Sequence, residues 1–166
     1  YPLGGAHLTT DLFEILEIDN FKDAELLKRR IDLNLQPEDN DTYDIRKQGE
    51  IKSFNMKFCN RIVTARLGDF VKILEKAFSE CQYDFPEDIV IYLTGNGISH
   101  IRGAKEYLTE KLGVEVRLVL PPVPQLNKPQ FSSSIGVLNY AVKKEVKKLN
   151  ILDKIMSILN GGNKHD

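Results

Sequence analysis

The residues best placed to do chemistry lie directly after a β-rich run. Asp88-Ile89-Val90-Ile91-Tyr92-Leu93 is nearly unbroken in β-formers, and Thr94-Gly95-Asn96-Gly97-Ile98 follows it. Glycines at the carboxyl end of a strand let a ligand approach the backbone, and a helix start beyond them offers free N–H groups to an anion. The same spacing serves a plain strand-to-helix turn, and spacing alone leaves both readings open. It is not a dinucleotide fingerprint, because His100 stands where the third glycine belongs, nor a Walker loop, because no Gly-Lys-Ser/Thr follows. Glu25 and Lys28 stand three apart in a helical pattern, either as an ordinary surface pair or as groups turned to a ligand. His7 and His100 have no carboxylate or cysteine at ligand spacing, so no metal site is expected. Cys59 and Cys81 form no disulfide framework and read as free thiols of a reducing cytoplasm. No Ser-His-Asp or Cys-His arrangement can be argued from spacing, so no catalytic residue is assigned.

Elements that position these groups are legible in the periodicity. Thr9 or Thr10 is expected to cap a helix running through Leu16, after a strand end and turn at Tyr1-Pro2-Leu3-Gly4-Gly5. A second helix, from about Phe21 to Arg30, starts acidic and ends basic, as the helix dipole favours. Residues 33–51 are polar and turn-rich, fitting a short edge hairpin or a loop. From Phe54 the helical period returns in a run of about 26 residues, with Phe58, Ile62, Val63, Ala65, Leu67 and Phe70 on its apolar face. The run from Asp88 reads as a strand buried on both faces, followed by a glycine turn, a helix over residues 103–112 and a strand over 114–120. That is one βαβ unit, and it implies α/β architecture with ligand access at the strand's carboxyl end. A proline-marked loop and a last helix over residues 133–159 follow.

Composition bounds the function classes. Lys and Arg number 23 against 24 Asp and Glu, a net charge of −1, which argues against a dedicated nucleic-acid binder. A chain of 166 residues that is 42% hydrophobic can bury a real core as one domain or two small lobes. No apolar run reaches the roughly 18 residues of a membrane span. The chain opens on Tyr1 with no signal-peptide pattern and reads as a piece of a longer protein. Charge is uneven: residues 1–50 hold twelve acids and six bases, whereas residues 142–166 hold six lysines and three acids. The basic tail is amphipathic, with apolar residues recurring at three and four, a pattern that suits an anionic membrane interface or docking on protein.

Leu93-Thr94-Gly95-Asn96-Gly97-Ile98 through Gly103 resembles the adenosine motif of the actin-like ATPase superfamily, which spans actin, MreB, heat-shock chaperones, sugar kinases and the division protein FtsA. Four more stretches match in order. Ala24-Glu25-Leu26-Leu27-Lys28 resembles the Ala-Glu-x-x-Lys helix of MreB and FtsA. Pro2-Leu3-Gly4-Gly5-Ala6-His7-Leu8-Thr9-Thr10-Asp11-Leu12 resembles the FtsA stretch that enters the lid. Asn60 to Leu67 is similar to the FtsA helix with an Ala-Arg pair, and Phe131 to Ala141 to the family's closing helix. The resemblance covers about residues 1–145 and favours FtsA, with the pilus-assembly protein PilM second. Asn96 replaces a family glycine, where its tolerance of left-handed backbone would preserve the turn, and Arg102 replaces a proline, which would loosen the helix start.

What the resemblance implies is an α/β fold: a partial actin-like, ribonuclease-H-like ATPase lobe with an inserted helical lid. Residues 6–86 would be the lid, 87–145 the C-terminal half of the second lobe, and 146–166 a basic amphipathic helix and tail. Glu25, Lys28, Gly95, Asn96, Gly97 and Ile98 would face the adenosine of ATP. Magnesium would belong to the complete protein, since both phosphate loops of the family are missing from this sequence. The implied setting is the cytoplasm, at the inner face of the cell membrane. Division proteins would be its partners, with self-association through an exposed sheet edge. The alternatives are a PilM-like pilus-assembly protein and an actin-fold interaction module that no longer holds nucleotide.

Overall fold

The computed structural model describes residues 3–47, 49–82, 86 and 88–145. Its first helix, α1 (Gly5–Ile15), starts four residues before the expected threonine cap. The reason is a local ring of hydrogen bonds. The Gly4 N–H donates to His7 Nδ1 at 3.1 Å, and the His7 N–H donates to the Gly4 carbonyl at 3.0 Å. This closes the first turn in both directions and requires the neutral imidazole with its proton on Nε2. Gly4 and Gly5 therefore start a helix rather than ending a strand, and Thr9 lies inside it, buried with Leu8 and Leu12. Asn20 caps α2 (Phe21–Lys28) by accepting from the Asp23 N–H at 3.0 Å.

The polar stretch that follows supplies a two-stranded antiparallel hairpin, β1 (Thr42–Lys47) and β2 (Glu50–Asn55), with Tyr43 opposite Phe54. Asn55 then caps the long helix α3 (Met56–Glu80), accepting from the Phe58 N–H at 2.9 Å. The buried stripe of α3 is Cys59, Ile62, Val63, Leu67 and Val71. Phe58 and Ala65, expected on that stripe, are exposed.

Beyond α3 come β3 (Val90–Leu93), a short 3-10 turn (Ile98–His100), α4 (Ala104–Leu112) and β4 (Glu115–Leu118). The two strands pair in parallel, Ile91 opposite Val116 and Leu93 opposite Leu118, so the expected βαβ unit forms. β3 is not buried on both faces. One face packs Ile91 and Leu93 against Val71, Leu108 and Val116, while Tyr92 on the other is 63% exposed. Among the described residues only one helical layer covers this two-stranded sheet. Two 3-10 turns (Pro124–Leu126 and Pro129–Phe131) lead into α5, helical over 132–145. The expected continuation of that helix and the segment 146–166 lie outside the described residues, as does most of the expected loop at 83–87.

One core holds most of this together. Leu8, Leu12, Leu27, Ile31, Val63 and Leu67 are fully buried, and Ile101 and Ala104 beside α4 join the same cluster. The segments 6–86 and 87–145 thus share apolar packing, with Ile98 and Tyr107 touching both this cluster and the smaller one under the parallel strands. Arg66 on α3 grips Asp11 on α1 with Nε at 2.6 Å and a terminal nitrogen at 2.7 Å, a two-pronged pair that fixes the crossing of these helices. Burial pushes the Cys59 thiol up to about 11, and Cys81 is an exposed free thiol. No helix among the described residues is long and apolar enough to cross a membrane.

Candidate functional site

Three elements converge on one cleft of about 670 Å³: the first two turns of α1, the outer side of α2, and the turn after β3. Its walls are Gly5, Ala6 and Thr9, then Phe21, Lys22, Glu25, Leu26, Lys28 and Arg29, then Asn96 and Gly97. The floor is a contact of backbone on backbone. A Cβ placed on Gly5 would stand 2.5 Å from the Gly97 Cα, and one on Gly97 would meet the Gly5 nitrogen and Cα at 3.1 and 3.2 Å. Gly97 is therefore small to admit α1, a role that the sequence could not assign without knowing its neighbour. Gly95 is there for its dihedral, φ +95°, and Ser99 Oγ closes the turn by donating to the Gly95 carbonyl at 2.6 Å. Asn96, expected to tolerate a left-handed backbone, does not adopt one, since Gly95 takes that conformation.

The polar centre of the cleft is a network of three side chains. Lys28 is 4% exposed, and its ammonium donates to the Gly5 carbonyl at 3.1 Å, Thr9 Oγ1 at 2.8 Å and Glu25 Oε2 at 2.5 Å. An ammonium has three hydrogens, so these partners use its full capacity. The Thr9 hydroxyl accepts from Lys28 and donates to Glu25 Oε2 at 2.7 Å. Arg29 Nε reaches Glu25 Oε1 at 3.2 Å from the rim. Burial acts to raise the Glu25 carboxyl. The hydrogen bonds from Lys28 and Thr9, the Lys28 charge and the bond from Arg29 outweigh it and hold the carboxyl below its ordinary value.

A carboxylate held charged in this way accepts from hydroxyl donors. Phe21 and Leu26, each 46% exposed, give the cleft an apolar wall suited to a flat ring. The N-terminus of α1 opens at Gly5 and Ala6, where the helix dipole favours negative charge. Among the described residues no group of three or more His, Cys, Asp or Glu is placed to hold a metal ion. The cleft thus joins a charged acceptor, an apolar wall and a helix N-terminus.

Of the residues singled out in the sequence, Glu25, Lys28, Asn96 and Gly97 come together here. Gly95 shapes the turn, and Ile98 turns inward to pack against both core clusters. The helix expected over residues 103–112 forms, but its start does not face this cleft. α4 begins at Ala104 after the intervening 3-10 turn, capped by Gly103 at φ +82°. Its N-terminus is pressed against Leu33 and Asn34: the Leu33 N–H donates to the Arg102 carbonyl at 2.8 Å, and a Cβ on Gly103 would stand 2.9 Å from the Asn34 nitrogen. The Arg102 guanidinium also pairs with Asp32 at 3.5 Å. Gly5, Thr9, Phe21 and Arg29 were missed as cleft residues. The signal was present in part, since Gly5 and Thr9 stand one helical turn apart.

No family model matches the chain, and no curated protein matches it. Among solved structures, the ethanolamine utilization protein EutJ from Carboxydothermus hydrogenoformans aligns with it at 20% identity and a TM-score of 0.48. The alignment covers 78% of this chain and 37% of that one, so the chain spans little more than a third of the length of that structure. The described residues form a mixed α/β arrangement of helices and two small sheets, with a polar-centred cleft between α1, α2 and the turn after β3.

Proposed function

We propose that the chain is part of an actin-like ATPase of the FtsA type and contributes the adenosine side of its nucleotide cleft. One observation carries the reading: Glu25 and Gly97, far apart in the sequence and drawn from two separate motifs of the resemblance, line the same cleft. On this reading the Glu25 carboxylate accepts from ribose hydroxyls, and Phe21 and Leu26 flank the base. Lys28 holds Glu25 in place instead of reaching the base, because its hydrogens are already used within the fold. The phosphate and magnesium machinery belongs to segments that this sequence does not contain. Binding by this chain is then weak, of millimolar order, because half a cleft supplies only part of the roughly −8 kcal/mol that micromolar affinity requires.

A second reading is an interaction module that has given up nucleotide, and the complete internal pairing of Lys28 favours it. Calorimetric titration with adenosine separates the two. Weak binding that Glu25→Ala abolishes and Asp39→Ala leaves intact supports the nucleoside site. Binding indifferent to Glu25, or none at several millimolar adenosine, supports the module.

A further inference from the structure

Glu25 offers the cleft less than a free carboxylate would. An ionised carboxylate has two oxygens and about four acceptor positions between them. Lys28 Nζ at 2.5 Å and Thr9 Oγ1 at 2.7 Å both donate to Oε2. The Thr9 hydroxyl has one hydrogen and two acceptors near it, Glu25 Oε2 at 2.7 Å and the Gly5 carbonyl at 3.3 Å. The hydrogen lies on the shorter contact, which has the usual length of an O–H···O bond, whereas the longer one falls outside that range. Arg29 Nε takes one position on Oε1 at 3.2 Å. Three of the four positions are thus filled from within the fold. Both donors on Oε2 are buried, while the Arg29 side chain on Oε1 is 59% exposed at the rim and that of Glu25 itself is 30% exposed. The open position is therefore on Oε1, the oxygen on the rim side.

We propose that Glu25 accepts from one hydroxyl of a ribose and not from two, so that the cleft selects its ligand by a single sugar hydroxyl. This rests on the nucleoside reading of the cleft and narrows it, because it gives the 2′ and 3′ positions unequal roles. Two neighbouring hydroxyls that both donate to one carboxylate need two open acceptor positions, and Glu25 has one. The second hydroxyl meets the Arg29 guanidinium, which donates and cannot accept. It therefore accepts from Arg29 or stays in water. The two hydroxyls then differ in what they contribute. The first makes a charge-assisted bond to a carboxylate, and its loss leaves that acceptor without its ligand partner. The second lies at an exposed rim, where water replaces it at little cost.

Titration of the ¹⁵N-labelled full chain with adenosine, 2′-deoxyadenosine and 3′-deoxyadenosine, each carried to its solubility limit, tests this. The expected result is one analogue that binds within about threefold of adenosine and one weaker by about tenfold or more, the range of one hydrogen bond to a charged group. The analogue that weakens identifies the hydroxyl on Oε1. Glu25→Gln is expected to erase the difference between the analogues. Lys28 and Thr9 are both donors and claim the amide oxygen, which turns the amide nitrogen, another donor, toward the cleft. Circular dichroism shows whether this variant is folded, and the comparison of the three ligands on the wild type stands without it. Two analogues that weaken alike, or that both bind as adenosine does, overturn the proposal. So does a difference that survives in folded Glu25→Gln. In each of these cases adenosine still binds, and the nucleoside reading stands. A wild type that binds no adenosine overturns that reading and this proposal with it.

Discussion

Replacing Gly5 by alanine isolates the contact on which the cleft is built. In an ordinary helix this change is favourable by up to about 1 kcal/mol, because alanine loses less backbone freedom on folding. Here the new methyl would stand 2.5 Å from the Gly97 Cα. Carbon atoms rest at about 3.5 Å or more, so the glycine turn must retreat by about 1 Å against its anchors. Those anchors are the Gly95 N–H donating to the Pro129 carbonyl and the Ser99 bond to Gly95. Overpacking of this kind costs about 1–3 kcal/mol, so even after the full helix gain the net loss reaches about 2 kcal/mol. For a chain of this length that is a fall of up to about 8 °C in Tm, read by thermal melting followed by circular dichroism. Gly68→Ala is the control. It sits in α3, where a Cβ meets only the Tyr107 hydroxyl at 3.5 Å, so it is expected to be neutral or stabilising. A Gly5→Ala protein that melts with or above Gly68→Ala would refute the close approach of α1 to the turn.

Thr9→Val keeps the shape of the side chain and removes the hydroxyl that links Lys28 to Glu25; urea denaturation should show a loss of about 1–3 kcal/mol from the under-paired ammonium. Glu25 gives stability a definite pH dependence. Its folded carboxyl lies below the ordinary value of 4.5, so the unfolded chain takes up the proton first. The contribution is full above 4.5 and is lost as the pH falls through the folded value, and Glu25→Gln should flatten the stability profile in that acid limb. The two cysteines should separate cleanly under a thiol reagent at pH 8. Cys81 is exposed and reacts at once, whereas Cys59, its thiol pushed up to about 11, reacts only as fast as the protein opens.

Periodic signals transferred well from sequence to fold. The boundaries of α2, the long α3 and the strand–turn–helix–strand order each rest on local pattern, and local pattern decides them. Misreadings cluster where a distant partner decides. Gly97 also admits α1 through its contact with Gly5, a packing role that its spacing alone does not tell. Lys28 looks like a surface cation by its spacing from Glu25, but Thr9 and the Gly5 carbonyl enclose it. The early start of α1 depends on a histidine completing a glycine cap, which no threonine-based rule anticipates. β3 reads as buried on both sides because its side chains are apolar, yet the described chain covers only one face.

The central claim is that the cleft between α1, α2 and the Gly95–Gly97 turn receives a nucleoside. Titrating ¹⁵N-labelled protein with adenosine and following the amide resonances tests it most directly. The account predicts shifts that saturate at millimolar adenosine and centre on Phe21, Glu25, Leu26, Asn96 and Gly97, with the parallel strands and the β1–β2 hairpin unmoved. Shifts centred instead on the separate groove between α3 and α4, lined by Asn60, Thr64, Glu106 and Tyr107, or none near Glu25 at saturating ligand, would contradict it.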